Sequence, residues 1–510
     1  MRYQICLRTM ERYKKLFFIL LIVTTLLRLS VIGKIGLGDD EAHYFAWSQY
    51  LDLSYFDHPP VVAYLIALFT KIGGINEFSV RIGSVIFFFF ASIFVFLLAK
   101  DIFNDDRVAF FSALLLNLTP VFTVLEAILI LPDTPLGLSW VITLYLLYRI
   151  MKGGKASLWY MAGCVAGLGL LSKYNAFFLF PSVFLFLLLS KKNRFWLTRK
   201  EPYISLVIAL LIFTPVIIWN IKNGWASFGF QLSRGYGGTF EFSPKWFIAG
   251  LAGQMGYISP FLFFVSIYAI VIGGYRGVVK RDDRYLFLFS FSIVILLFFA
   301  GLSFFKKVLP HWPTLGFVTA FIILAQLTLE SFKRKTGSSR IGLVAAIYLV
   351  LVTAVLFSAL MPAQALFKII PLPAEVDGTN ELYGWPKAGE RILEIYSEMS
   401  LHNKTFIFTH RPVLAGHIAF YTGARFRIYC LNDYVDQYDF WPGPDDFSGG
   451  DAIFLADNRY NKDPREVYKG MFSSVEAEPP LKIYRNGEHI RTFYIYKCYN
   501  YSTSNFKFLR

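Results

Sequence analysis

Gly38-Asp39-Asp40-Glu41-Ala42-His43-Tyr44, followed by Tyr55-Phe56-Asp57-His58-Pro59-Pro60, is the stretch that decides how this chain reads. In one short segment it gathers the carboxyls of Asp39, Asp40, Glu41, Asp52 and Asp57 with the imidazoles of His43 and His58. An apolar run, 16–32, precedes it, and a second, 61–69, follows. Charge this dense between hydrocarbon-soluble segments is costly unless it lines a site at the membrane surface. The alternative is a solvated loop between two helices, but such loops seldom join an acidic cluster to a segment like His58-Pro59-Pro60.

Composition agrees with a membrane setting. The 510 residues are 55% hydrophobic and include 54 Phe, with a mean hydropathy of +0.49. Charged residues make up 17%, against roughly 25% in soluble domains. These values describe a polytopic α-helical membrane protein. The net charge of +15 sits in Lys/Arg clusters of short loops, the positive-inside pattern, and not in a nucleic-acid-binding surface. Cys6, Cys164, Cys430 and Cys498 show no metal spacing. Cys430 and Cys498 either pair in an oxidising compartment or remain free thiols. Arg8, Arg12, Lys14 and Lys15 lead into the first apolar run with no small-residue cleavage site after it, which reads as an uncleaved first helix with a cytoplasmic N-terminus.

Apolar segments long enough to span cover 16–33, 78–99, 107–124, 134–150, 157–172, 174–190, 203–219, 246–272, 285–303, 309–329 and 341–361. The run 59–72 is short, opens on Pro59-Pro60 and contains Lys71, so it reads as interfacial or re-entrant. Leaving it uncrossed keeps the basic loops 191–200, 276–284 and 333–340 on the same side as the basic N-terminus. About eleven to thirteen spans result. The acidic loop 34–58, the turns at Asp133, Lys173 and Lys306-Lys307, the loop 220–245 and His311 then share the outer face. After Pro371-Leu372-Pro373 the composition turns polar. The chain therefore divides into a membrane domain, 1–370, carrying the outer loop 34–58, and a small α/β domain, 371–510. In the latter, 389–399 reads as helix, and 405–409, 427–431, 452–455 and 489–497 read as strands.

Asp40 and Glu41 open an amphipathic helix with Tyr44, Trp47 and Tyr50 behind them. A carboxylate at the edge of a low-dielectric site can serve as a general base. Adjacent helical residues point about 100° apart, so one of the pair is suited to catalysis and the other to bracing the loop. Asp39 suits an N-cap. Asp133, in Pro132-Asp133-Thr134-Pro135, is either a second site acid or the cap of the fourth span. His58, Lys173, Arg234, Lys306, Lys307 and His311 are the cations that a phosphate-bearing substrate needs, because leaving-group charge must be stabilised. Arg234 falls in a Gly-rich stretch, Ser233-Arg234-Gly235-Tyr236-Gly237-Gly238, that suits closure over a ligand. His43 and Asp57 are candidates for a divalent cation, though their spacing matches no strong metal motif.

The Asp39-Asp40-Glu41-Ala42-His43-Tyr44 loop, Asp57-His58-Pro59-Pro60, Pro132-Asp133-Thr134-Pro135, Leu171-Ser172-Lys173-Tyr174 and Lys307-Val308-Leu309-Pro310-His311-Trp312-Pro313 together resemble bacterial membrane glycosyltransferases. The group is that of protein O-mannosyltransferases and the aminoarabinose transferases that modify lipid A. The resemblance covers roughly residues 10–360. It implies the membrane-embedded GT-C fold and an inverting transferase at the outer face of a bacterial inner membrane. It also implies a polyprenyl-phosphate sugar donor and a glycolipid, glycan or protein acceptor. The family's catalytic Asp maps to Asp40 and its second acidic position to Asp133. Where aminoarabinose transferases carry a donor-phosphate Lys before Pro-Pro, this chain has His58, which puts aminoarabinose in doubt as the sugar. A transporter or flippase of a lipid-linked sugar is the other class; it predicts charges buried mid-span and internal repeats.

Overall fold

The structure, a computed structural model, describes residues 2–236 and 241–502. Gly237 and Gly238 of the Gly-rich stretch lie outside the described residues. The chain forms two compact units. The first comprises Met1–Val31, His58–Val61 and Gly83–Pro362; the second comprises Ile32–Asp57, Val62–Ile82 and Ala363–Arg510. This division differs from a boundary near 370. The acidic loop and the short helix after it fold with the C-terminal region, where Asp39 meets His417 and Arg459 and Phe56 N donates to Gln437.

In the first unit the elements are helical. Among the described residues, eight helices are long and apolar enough to cross a membrane: Glu11–Ile32, Glu77–Phe103, Asp133–Met151, Glu201–Lys222, Pro260–Val279, Asp283–Leu302, Leu315–Arg334 and Gly337–Phe367. The expected spans 107–124, 157–172 and 174–190 fall on shorter helices, Asp106–Leu118, Leu158–Ser172 and Leu179–Leu189. The expected span 246–272 is broken into Pro244–Ile258 and Pro260–Gly274. Ser259 between them sits at φ +78°, and Pro260 cannot continue a helical hydrogen-bond ladder.

Small residues let the backbones approach. A Cβ on Gly163 would meet Ser205 O at 2.4 Å, and one on Gly167 would meet Ile212 at 2.8 Å, so Leu158–Ser172 packs closely on Glu201–Lys222. Polar side chains tie other helices together. Asn117 accepts from Arg28 Nη2 at 3.1 Å and donates to Ser92 Oγ at 3.0 Å. Between these contacts the core is aromatic and aliphatic, with Phe122, Trp140, Phe287 and Phe291 fully buried.

The second unit is built on a mixed sheet of β1 (Thr405–Thr409), β2 (Ile428–Cys430), β3 (Asp451–Asp457), β4 (Ser474–Ala477), β5 (Leu481–Arg485) and β6 (Glu488–Tyr499). The order is β2-β1-β3-β6-β4, with β5 also on β6. β2, β1 and β3 are parallel, and β6 runs antiparallel to β3, β4 and β5. β5 and β6 join through Asn486-Gly487, both at positive φ, the conformation a two-residue hairpin turn requires. Helices Trp385–Met399 and Pro412–Tyr421 flank the parallel strands in sequence. Phe406, Phe408, Phe454 and Tyr468 pack into one buried cluster. Cys430 and Cys498 are both free thiols, on strands separated by β1 and β3.

Helix Asp39–Ser48 belongs to this unit. It lies so close on Pro412–Tyr421 that a Cβ on Gly416 would meet Ala42 O at 2.4 Å. Phe45 packs edge-on against Phe420 at 4.9 Å. The run at 59–72 forms helix Val61–Gly73, too short to span, with Tyr64, Leu68 and Ile72 exposed along it.

Candidate functional site

The three consecutive acids of the second unit have three different surroundings. Glu41 is buried. Its carboxylate accepts from Arg81 Nε at 2.7 Å and Nη2 at 2.5 Å, and from Gly38 N at 3.0 Å. Arg81 also donates to Ile32 O, Ile35 O and Gly36 O at 2.9, 2.6 and 2.7 Å. One guanidinium therefore folds the whole entry to the acidic helix around itself. Asp39 is held by His417 Nε2 at 3.0 Å and Arg459 Nη1 at 2.8 Å. Burial alone would raise the Asp39 pKa; His417 and Arg459 overcome this and hold it near 2. His417 is stacked on Trp385, ring centroids 3.8 Å apart and planes within 5°. Burial pushes its pKa down to about 4 despite Asp39, so it is a neutral imidazole at pH 7. Asp40 is the exposed member of the three, in the first turn of a helix whose N-terminal dipole favours a carboxylate.

Glu381 joins this group from the C-terminal region. Its Oε1 would stand 3.3 Å from a Cβ on Gly38. Burial, with Asp39 and Asp40 adding to it, raises its pKa to about 7. His43 and Asp57 bond each other, Nε2 to Oδ2 at 2.9 Å. Burial lowers the His43 pKa, but the bond and charge of Asp57 win and leave it raised. His43 packs edge-on to Trp47 at 4.9 Å, and Trp47 stacks on Tyr55 at 4.5 Å. The pair therefore pins segment 54–57 to the acidic helix. Among the described residues no group of three His, Cys, Asp or Glu is placed to hold a metal, and what the structure shows for the expected metal pair His43 and Asp57 is their bond to each other.

In the first unit, Asp133 starts helix Asp133–Met151. Lys173 follows helix Leu158–Ser172 in an extended conformation that lets it reach back. Its Nζ bonds both Asp133 oxygens, at 2.8 and 2.7 Å. Lys173, expected as a phosphate contact, is thus paired with the second acid. His311 and His58 both lie near Asp133. His311 precedes helix Leu315–Arg334, and burial with the nearby Lys173 charge drives its pKa to about 4, making it a neutral donor. Arg234 lies in the last turn of helix Ala226–Tyr236 and not in a loop. Its guanidinium stacks over Phe230 and Trp312, each at 5.3 Å. Lys307 is exposed and Lys306 half-buried in the turn before His311.

Glu126 escaped the sequence reading. It ends a π-helical turn, Phe122–Glu126, a feature that often marks functional sites. Gly137 makes room for its carboxyl, since a Cβ there would meet Glu126 Oε2 at 2.5 Å. A lone acid next to an apolar run was the available signal. Arg81 offered a similar one, a cation at the head of the second span. Glu381, His417 and Arg459 offered none, being hundreds of residues from Asp39.

With this geometry in hand, three comparisons bear on the class of protein. Residues 57–219 match the family described as dolichyl-phosphate-mannose-protein mannosyltransferase. Lipid A galacturonosyltransferase RgtD of Rhizobium johnstonii is 26% identical over 302 residues, 56% of this chain and 60% of the relative. The undecaprenyl phosphate-alpha-4-amino-4-deoxy-L-arabinose arabinosyl transferase of Pseudomonas savastanoi is 29% identical over 181 residues, 33% of this chain and 32% of the relative. The chain thus spans 60% or less of the length of these curated relatives. The crystal structure of ArnT from Cupriavidus metallidurans bound to undecaprenyl phosphate has a TM-score of 0.60 and 15% identity, over 95% of this chain and 98% of that one. The fold class is therefore that of a polytopic helical membrane protein of the GT-C type with a small C-terminal sheet domain. More particularly, the chain is similar to the group that joins the protein O-mannosyltransferases to the lipid A aminoarabinose and galacturonosyl transferases.

Proposed function

We propose that this protein is an inverting glycosyltransferase. It moves a sugar from a polyprenyl-phosphate donor to a lipid A-type glycolipid at the outer face of a bacterial inner membrane, with the N-terminus cytoplasmic and the C-terminal region outside. The observation that carries the reading is the acidic triplet at the start of helix Asp39–Ser48, of which Asp40 is the exposed member. Asp40 takes the proton of the acceptor hydroxyl as that oxygen attacks the anomeric carbon. The bond from that carbon to the phosphate oxygen breaks, and the phosphate leaves with the electron pair. His58, Lys306, Lys307 and Arg234 meet the charge on the departing phosphate, and neutral His311 donates a hydrogen bond. Asp133, held by Lys173, orients the sugar. Glu41 is a positioning residue acting through Arg81 on the helix that carries Asp40.

Support comes from the names of the relatives, which act on lipid A or use an undecaprenyl-phosphate sugar, and from the undecaprenyl phosphate bound to the similarly folded ArnT. The test is mass spectrometry of envelope glycolipids from the source strain, a deletion, and the deletion carrying either the wild-type gene or Asp40→Asn. Loss of one sugar mass in the deletion, restored only by the wild-type gene, is the expected result and names the sugar and acceptor. Restoration by Asp40→Asn would remove the assigned base.

A further inference from the structure

The strand order β2-β1-β3 reverses at β1, since the chain leaves β1 through helix Pro412–Tyr421 to β2 on one side and reaches β3 on the other. In open α/β sheets, the crevice at the carboxyl ends of such strands is where ligands bind. Here that edge carries His410 and Arg411 after β1, and Arg459, Tyr460 and Lys462 after β3. A ladder of rings and guanidinium groups crosses it. Arg459 and Arg411 both lie against the Tyr460 ring, at 5.3 and 5.0 Å, and Arg411 continues to Tyr434 at 5.3 Å. At one end Arg459 is saturated by Asp39 and Asp457. At the other end Arg411 bonds the Tyr434 hydroxyl and feels the charge of Asp433, but it has no carboxylate within ion-pair distance among the described residues, and its buried Nε has no hydrogen-bond partner. Beside it His410 is 3% exposed, its ring against the Tyr460 backbone and with no side-chain hydrogen-bond partner. Helix Pro412–Tyr421 starts at the same point with no side-chain cap, so its dipole favours an anion there. The nearby acids are already engaged: Asp433 faces Lys462 at 3.3 Å, and Asp457 binds Arg459 and Arg491.

We propose that this edge is a subsite for a sugar-borne phosphate, with Arg411 presenting its planar fork to the oxygens and His410 and the helix amides completing the cradle. The ladder ends on Asp39, the neighbour of Asp40, so the subsite holds the phosphorylated sugar of the acceptor beside the attacking hydroxyl. That role, though not the binding itself, rests on the transferase reading.

The test is direct binding to the full-length detergent-solubilised protein, without turnover. The probes are N-acetylglucosamine 1-phosphate, N-acetylglucosamine, inorganic phosphate, and vesicles of an anionic phospholipid. The sugar phosphate is expected to bind most tightly. Arg411→Gln should weaken it at least tenfold, and Arg411→Lys should recover only part of the loss, because an ammonium cannot offer two parallel donors. Equal binding by Arg411→Gln overturns the subsite, provided thermal unfolding shows the variant folded; should it be unfolded, Arg411→Lys binding as tightly as wild type overturns it instead. Inorganic phosphate matching the sugar phosphate, or vesicles displacing it in an Arg411-dependent way, overturns the assignment to a sugar. A wild-type protein that binds through Arg411 yet transfers no sugar would leave the subsite standing and sink the transferase.

Discussion

Arg81 grips Glu41 through two parallel hydrogen bonds, 2.7 and 2.5 Å long, with both side chains shielded from solvent. A buried pair of this kind contributes little compared with an apolar pair, but removing one partner strands a charge at a cost of about 3–5 kcal/mol. Arg81→Leu and Glu41→Leu should each lower the thermal unfolding midpoint sharply, and the double variant should recover only part of the loss, because the carbonyls of Ile32, Ile35 and Gly36 stay without their donor. If each single variant unfolds at the wild-type temperature, the pair does not organise segment 32–38.

Asp40 should behave in the opposite way. It is exposed, so Asp40→Asn should leave the unfolding temperature within a degree or two of wild type. Transfer from a polyprenyl-phosphate sugar should fall roughly 10²-fold or more, the loss expected when a general base is removed. Retention of more than about a tenth of wild-type turnover would exclude Asp40 as that base.

The contrast between these neighbours explains what was legible in the sequence. Asp40 and Asp133 stood out because acids at the ends of apolar runs are rare. The helix opening at the acidic triplet followed from local pattern, though Asp39 is its first residue and Gly38, not Asp39, its N-cap; strands β1, β2, β3 and β6 followed in the same way. β4, β5 and helix Pro412–Tyr421 did not, although Asn486-Gly487 was a usable hairpin signal. What sorted the triplet was out of reach, because His417 and Arg459 come from elements 378 and 420 residues downstream of Asp39. Lys173 was read as a phosphate ligand for a related reason. Spacing showed a cation forced toward a cavity but could not show the bonds that Lys173 makes to Asp133.

His417 supplies a pH test. Its pKa is about 4 in the folded protein, below its ordinary 6.5, so between those values the unfolded chain binds the extra proton. This residue's contribution to stability is therefore intact above about pH 6.5 and is lost as pH falls through 4. Asp39, held near 2 against an ordinary 3.8, adds a further loss as pH falls below 4. Glu381, raised to about 7, has the opposite slope between 4.5 and 7, so the informative quantity is the difference between wild type and His417→Gln. That difference in unfolding midpoint should favour wild type most at pH 7 and shrink steadily toward pH 4. A difference that stays constant over this range would mean that His417 is not held neutral by burial.

Lys173 and Asp133 form the corresponding pair in the first unit, with Nζ 2.7 and 2.8 Å from the two carboxylate oxygens. The Lys173 side chain is 6% exposed, so Lys173→Met should leave Asp133 facing a water-poor interior and cost about 3–5 kcal/mol. Asp133→Asn should cost a similar amount, because it leaves the ammonium stranded. The double variant should be more stable than the sum of the two single losses predicts, by at least about 1 kcal/mol, since contacting residues couple on that scale. Transfer should stay low in all three variants, because restoring the fold does not restore the carboxylate proposed to orient the sugar. Additive stability losses would show that the pair is not a unit. Wild-type transfer by the double variant would confine Asp133 to a structural role.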